Sequence, residues 1–355
     1  MSSINALIED FFQQKNSITD CQLQPYNIKL LRPWKTASSQ TLYRQGLLLK
    51  LTINHSQTVI GECAPMPEIG TETLAQAQNF LIRRITEFIG QPFDKNFFSG
   101  LDLLPACHFA IESLLLNFLT MQQNKSISQL LTPDATQSIQ TNVMLGTLDD
   151  KTLLQIKNAQ QEGFNCIKLK LGLNDVKTDV NKLQQLFEQI DPNTLIRLDA
   201  NKSWSYKETL FLLSELKNYQ HQIDSIEEPL LNYDRELYQD LQNQTSINLA
   251  LDESLSLAPL NSQFPVNRII LKPTILGGII HTLKLAKTAE KHNIEIIITS
   301  AIETGYGLDI INHCCAALNN NQYHGIATAC WLEDTLIRTA TINKGIMTIG
   351  ANDIQ

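Results

Sequence analysis

From about residue 140 onward, short apolar runs alternate with segments of helical period, and this rhythm limits the possible folds more than any other feature of the chain. The runs are "TNVML" ending at 145, "CIKLK" at 170, "LIRLD" at 199, "IDSIE" at 227, "NLALD" at 252, "RIILK" at 272, "EIIITS" at 300 and a weaker "YHGIAT" at 328. Each end follows the previous one by about 20 to 29 residues, room for a strand, a helix and two short loops. The spacer "DVKTDVNKLQQLFEQI" repeats Val176, Val180, Leu183, Phe187 and Ile190 three or four residues apart, which predicts a helix with one apolar stripe. Repeated βα units predict an α/β fold: a parallel TIM-like (β/α)7β barrel over 135–330. An open doubly wound sheet has the same local pattern, but eight strands favour closure.

Residues 1–134 have another texture. "GLLLKLTI" and "QTVIGECAP" read as an antiparallel hairpin, followed by helical stretches over 73–89 and 105–121. This predicts an α+β capping domain. The tail, 331–355, has short strand-like runs and no room for another βα unit, so it is expected to return and complete that first domain.

Charge and composition exclude several classes. A net charge of −8 with no basic run argues against a nucleic-acid footprint and for a small-molecule partner. No stretch approaches the roughly 18 apolar residues of a membrane span, and the N-terminal segment lacks a signal-like apolar core, so a cytoplasmic location is expected, with no protein partner evident. Cysteines 21, 63, 107, 166, 314, 315 and 330 show no C-x-x-C spacing, and the odd count predicts free thiols. The histidines form no H-x-x-x-H pair, so any metal here needs oxygen ligands.

Period two sorts each barrel strand into an outward face, which meets helices, and an inward face. In "CIKLKLG", Ile167, Leu169 and Leu171 face outward, leaving Lys168 and Lys170 inside, about 7 Å apart from the strand rise. By the same rule Asp199 and Asn201, Glu227, Asp252 and Lys272 point inward, so the charges are expected at the C-terminal ends. Singly, a lysine-bearing strand is more often half solvated and a strand-ending acid more often a loop cap. Together, three buried carboxylates flanked by lysines require a hard cation, Mg²⁺ or Mn²⁺. Proximity to that ion and to one another favours neutral lysines, able to act as bases near neutral pH. A metal with a basic amine suits removal of a proton next to a carboxylate, with the enolate charge held by cations. A Schiff-base lysine on a barrel would leave the three carboxylates unexplained.

K-x-K at Lys168 and Lys170, D-x-N at Asp199 and Asn201, "EEP" at Glu227, "LDES" at Asp252 and "LKP" at Lys272 resemble, in this order, the muconate-lactonizing subgroup of the enolase superfamily. "GECAPMPEIGTETL" is similar to that family's capping segment, and "PACHFAIESLLLNFL" to the helix before its barrel. The resemblance implies Asp199, Glu227 and Asp252 as Mg²⁺ ligands, Lys170 as base and Lys272 as charge support on the opposite face; Mg²⁺ with a lysine base is the superfamily's general device. It further implies supporting roles for Lys168 and Asn201, and backbone N–H contacts to a substrate carboxylate from Gly277, Gly278 and the region of Ser300. For the glycine pair a plain tight turn is the competing reading. Glu228 and Glu253 are expected to support their ligand neighbours. A small carboxylate is the expected substrate. The seventh strand, ending "IIITSAIETGYG", lacks the histidine of mandelate-racemase-like members, and "HGIATACWLEDTL" offers no convincing D-x-D of the dipeptide epimerases. What the resemblance then implies is syn dehydration of a cyclohexadiene carboxylate in quinone biosynthesis, with N-succinylamino-acid racemisation or muconate-type cycloisomerisation as alternatives.

Overall fold

The computed structural model describes residues 2–35 and 40–349. A first antiparallel sheet has the order β1 (Ile18–Lys35), β2 (Gln40–Ile53), β3 (Gln57–Cys63), and β2 and β3 contain the predicted hairpin. Helices α1 (Ser2–Gln13), α2 (Leu74–Phe88), α3 (Pro105–Gln123) and α4 (Ile127–Leu131) complete this capping region. A Cβ on Gly61 of β3 would meet the Ala110 carbonyl oxygen of α3 at 2.2 Å, so glycine is what lets strand and helix approach so closely.

After β4 (Ser138–Gln140) comes a seven-stranded parallel sheet, each strand paired with the next in sequence. Its members are β5 (Val143–Thr147), β6 (Cys166–Lys170), β7 (Leu195–Asp199), β8 (Ile223–Glu227), β9 (Asn248–Leu251), β10 (Arg268–Leu271) and β11 (Glu295–Ile298). The connecting helices are α5 (Thr152–Gln161), α6 (Val176–Phe187), α7 (Tyr206–Glu215), α8 (Arg235–Asn243), α9 (Pro273–Leu276) and α10 (Ile279–Glu290), with α11 (Gly305–Leu318) after the last strand. Asp175 caps α6 by accepting from the amides of Lys177 and Thr178, and Val176, Val180, Leu183 and Phe187 are buried as the stripe predicts. The shortest interval, between β9 and β10, contains only the 3₁₀ turn Glu253–Leu257 and no α-helix.

The eighth strand expected at "YHGIAT" is not formed. Isolated bridges join Thr141 to His324 and Thr299 to Gly325, one beside each end of the seven-stranded array. The segment has Gly325 in its middle and lies between edges that it meets for one residue each, too little for a continuous ladder.

The two faces of the sheet separate as alternation predicts. Ile167, Leu169, Ile196, Leu198, Ile226, Leu249, Leu251, Ile269 and Leu271 join the main core, whereas Ala250, Ile270 and Ile297 form a separate buried cluster. The tail departs from expectation. Its strands β12 (Thr341–Asn343) and β13 (Ile346–Thr348) form a hairpin whose β13 pairs with β4, not with the capping sheet, placing buried Met347 opposite buried Ile139. The segment just before them reaches the cap, through a Leu30–Leu332 bridge and the Glu333 amide on the Lys29 carbonyl at 3.0 Å.

Three buried glutamates tie these layers together by accepting from helix N-termini, whose first amides have no partner within the helix. Glu72 accepts from the amides of Ala106 and Cys107 at 3.1 and 2.8 Å, at the start of α3. Glu112 of α3 accepts from Ile279 at 2.6 Å and Ile280 at 3.2 Å, at the start of α10. Glu62 of β3 accepts from Thr304 at 2.9 Å and Gly307 at 2.7 Å, at the start of α11.

Candidate active site

The register of the sheet sets the height of each functional side chain. Lys170 lies opposite Asp199, and Asp199 opposite Glu227, so the ends of β6, β7 and β8 present three ionisable groups at one level. Asp252 and Lys272 stand one residue past β9 and β10. Lys168, Lys170, Asp199, Asp252 and Lys272 line a single cavity of about 380 Å³. Glu227 sits beneath it, 1% exposed and bound to Lys168.

The charges are arranged in pairs. The Lys168 ammonium donates to Glu227 and lies 2.9 Å from Asp199 Oδ2, while the Lys272 ammonium donates to Asp252. Burial opposes the charged form of both lysines, but the carboxylates outweigh it and raise their pKa values. The acids beside these two lysines favour their ammonium form, where the sequence led to an expectation of neutral amines next to a metal ion. Lys170 differs. Burial is the leading influence on it, Lys168 and Lys272 act in the same sense, and its pKa is lowered. Among the acids, burial raises Glu227 and Asp252, whereas Lys168 and Lys170 overcome burial and lower Asp199.

The supporting residues act through hydrogen bonds. The Asn201 amide donates to Asp199 Oδ1 at 3.2 Å, and its side chain donates to the Asp199 carbonyl at 3.2 Å. Glu228 accepts from the amides of Asp252 and Ser254, both at 2.8 Å, and so holds the turn that presents Asp252. Glu253 lines the cavity. Asn201, Lys202, Glu228 and Ile302 adopt positive φ, 49°, 59°, 43° and 59°, where the chain leaves β7, β8 and β11. For a buried β-branched isoleucine this is costly, and such strain concentrates at functional loops.

Two expected contacts are placed elsewhere. The amides of Gly277 and Gly278 both donate to the Pro273 carbonyl, closing α9 as a left-handed turn. Their near neighbours are His108 and Glu112, and neither glycine lines the cavity of the lysines. Ser300 does line it, but its hydroxyl is engaged with Thr328 at 2.6 Å and accepts from the Ile302 amide at 3.2 Å. The adjacent Thr299 hydroxyl is buried without a hydrogen-bond partner and lines the same cavity. Residue spacing singles out neither Thr299 nor the capping-region residues Trp34, Glu68, Ile69 and Gly70, which also line the cavity. Trp34 lies in no motif noted in the sequence, while Glu68, Ile69 and Gly70 fall within "GECAPMPEIGTETL", whose resemblance to a capping segment does not say which of its residues reach the cavity.

Buried carboxylates need a compensating cation, and Glu227 Oε1 is buried with no hydrogen-bond partner, the Arg197 Nε lying 3.8 Å away. That orphaned acceptor, beside two further acids and no histidine or cysteine, fits a hard divalent ion. Among the described residues, the one grouping of three potential ligand atoms within 4.8 Å of one another is Cys63, Glu72 and Cys107. The site carboxylates are instead drawn toward the ammonium groups of Lys168 and Lys272.

Residues 152–351 match the enolase C-terminal domain-like family, more than half of the chain. With this fold and site, the chain belongs to the enolase superfamily and is an enzyme of that class. It is 26% identical over 302 residues to an o-succinylbenzoate synthase of Pasteurella multocida, covering 83% of this chain and 85% of that enzyme. It is also 25% identical over 311 residues to an L-amino acid-D/L-Glu epimerase of Francisella philomiragia, covering 82% and 85%. The crystal structure of a dipeptide epimerase from Enterococcus faecalis V583, complexed with Mg and the dipeptide L-Leu-L-Tyr, superposes with a TM-score of 0.81 at 22% identity, over 94% of this chain and 98% of that one. No helix among the described residues is long and apolar enough to cross a membrane.

Proposed function

We propose that this enzyme is an o-succinylbenzoate synthase, which removes water from 2-succinyl-6-hydroxy-2,4-cyclohexadiene-1-carboxylate to give 2-succinylbenzoate in menaquinone or phylloquinone biosynthesis. The observation that carries the reading is the unequal setting of two lysines in one cavity. Lys272 donates to Asp252, which outweighs burial and raises its pKa, whereas Lys170 lies under the Trp34 ring and its pKa is lowered, by burial first and then by Lys168 and Lys272. A one-base elimination uses one neutral amine and one cation that keeps its proton; racemisation also pairs a neutral with a protonated amine, but there the protonated amine must give its proton up, which the ion pair of Lys272 with Asp252 opposes. The wall formed by Gly325, Ala327 and Thr328 has no carboxylate to hold a substrate ammonium, as an epimerase would require.

In this reading Asp199, Glu227 and Asp252 would hold Mg²⁺, whose chemistry is to offset carboxylate charge and the negative charge that develops on an enolate. Neutral Lys170 takes the proton from the carbon next to the carboxylate. The resulting ammonium returns that proton to the departing hydroxyl, so water leaves, the ring becomes aromatic and Lys170 is neutral again. Lys272 stabilises the intermediate charge from the other face, with cation–π contact to the ring. Lys168 and Asn201 hold Asp199 and Glu227 in place. The seven-stranded sheet of 135–330, with the single-residue bridges at His324 and Gly325 in place of an eighth strand, would serve as the catalytic domain, capped by residues 1–134.

Turnover of the cyclohexadiene carboxylate with Mg²⁺, and its loss with EDTA, is the expected result. Racemisation of an N-succinylamino acid or epimerisation of a dipeptide without any dehydration would overturn the reading.

A further inference from the structure

Lysine has four rotatable bonds, and a proposed base must be held in one geometry to act. Lys170 Nζ lies 4.4 Å from the centroid of the Trp34 ring, a side chain from the far end of β1 in the capping region. Trp34 is itself fixed from behind. Its ring meets Trp331 edge to face, with centroids 5.4 Å apart and planes at 72°. Trp331 in turn is covered by the Arg32 guanidinium, 3.8 Å from its centroid. Arg32 donates to the carbonyl oxygens of Met144 at 3.0 Å and Leu145 at 3.4 Å, on the strand that precedes β6 in the sheet.

The indole nitrogens of both tryptophans are buried without a hydrogen-bond partner. Ring contacts, and not hydrogen bonds, therefore set the orientation of these indoles. Trp331 belongs with Ile28, Leu30, Ile302 and Leu332 to a small core separate from the main one, which joins the cap, the tail and the loop after β11.

We infer that Trp34 is the positioning residue for the base Lys170: the stack Arg32–Trp331–Trp34 is a rigid platform that the cap and the tail place over the end of β6. The inference rests on the reading of Lys170 as the base. A tryptophan that merely roofed the cavity would affect substrate binding alone. A platform for the base affects the chemical step, because a displacement of about 1 Å in a reacting group lowers rate on the order of a hundredfold. An aromatic face at that distance also attracts the ammonium form that Lys170 acquires during turnover.

The test compares Trp34→Phe with Trp34→Leu in the full-length Mg²⁺-loaded enzyme, with Lys170→Ala as reference. Expected is a kcat about ten- to a hundredfold lower for Trp34→Leu with a smaller change in KM, and near-normal kcat for Trp34→Phe, which keeps a π face. In parallel, protein labelled with [ε-13C]lysine, with Lys170 assigned by the loss of its signal in Lys170→Arg, should show a ring-current shift that persists in Trp34→Phe and disappears in Trp34→Leu. Should Trp34→Leu not fold, Trp34→Met carries the same comparison. A raised KM with unchanged kcat, equal loss in the Phe and Leu variants, or a Lys170 signal indifferent to residue 34 would each overturn the inference. Turnover that survives Lys170→Ala would instead overturn the reading of the base, so the two failures are distinguishable.

Discussion

The two ends of the parallel sheet both bury charge, and they do so in opposite ways. At the N-terminal end Asp224 of β8 accepts from Arg197 Nε at 2.8 Å and Arg268 Nη1 at 2.6 Å. Arg268 also reaches Glu295 at 2.5 Å, and Asn248 donates to the same carboxylate at 3.0 Å. His324 sits beside this cluster, pulled down to about 3 by burial and by Arg197; its Nδ1 accepts from the Ile298 amide at 3.0 Å, which leaves Nε2–H to donate to Asn320 at 2.9 Å. At the C-terminal end the cations are lysines, the carboxylates converge on a cavity, and one buried carboxylate oxygen has no hydrogen bond at all. The guanidinium, with its planar set of donors, suits permanent pairing, whereas an ammonium is a point charge whose proton can be moved. One end holds the sheet together; the other is the end where we propose that the reaction takes place.

That contrast is breakable by mutation. The largest expected effect is on rate: Lys170→Ala should lower kcat by about a thousandfold or more, the scale of a lost general base, while calorimetric Mg²⁺ binding persists. Retained turnover would remove Lys170 as the base. At the opposite end Asp224→Ala removes the close carboxylate partner of buried Arg197 and one of the two of Arg268, and should cost about 3–5 kcal/mol of stability in urea unfolding, with kcat of the folded enzyme unchanged. A loss of activity without a loss of stability would erase the distinction between the two ends.

A third buried acid, away from both, gives a pH test. Burial raises Glu112 from 4.5 to about 7, so between those values the folded chain binds a proton that the unfolded chain releases. Its contribution is greatest below pH 4.5 and declines as pH rises toward 7, by at most about 3 kcal/mol on the linkage relation. Glu112→Gln should flatten that slope in denaturation curves measured from pH 5 to 8; an unaltered slope would show that Glu112 is not its source. The smallest effect belongs to a single ligand: Asp252→Asn should weaken Mg²⁺ binding by about tenfold or more, the scale that even supporting groups of a metal site reach. Unchanged affinity by titration calorimetry would take Asp252 off the ligand set.

Much of the site was legible because strand alternation is local. Once "CIKLKLG" is a strand, Lys168 and Lys170 must share a face, and once its neighbours are parallel, Asp199 and Glu227 come to the same height. The N-terminal cluster was missed by the same rule, since Arg197 shares a face with Asp199 yet sits lower on its strand, and Arg268 and Glu295 open their strands instead of closing them. β1 was missed because Pro25 and Pro33 interrupt its alternation. The assignment of Gly277 and Gly278 to substrate gave way to turn chemistry: a short helix that ends at glycine uses those amides to close itself.

What the sequence by itself determined is the set of inward lysines and acids, because a period of two residues needs only neighbours along the chain. What only the tertiary structure decided is which partners those groups meet. The pairing of the tail with β4, the glutamates that cap helices of another layer, and the Trp34 ring over Lys170 all join segments far apart in sequence. Their positions follow from the path of the whole backbone, and no local pattern encodes a distance between two domains.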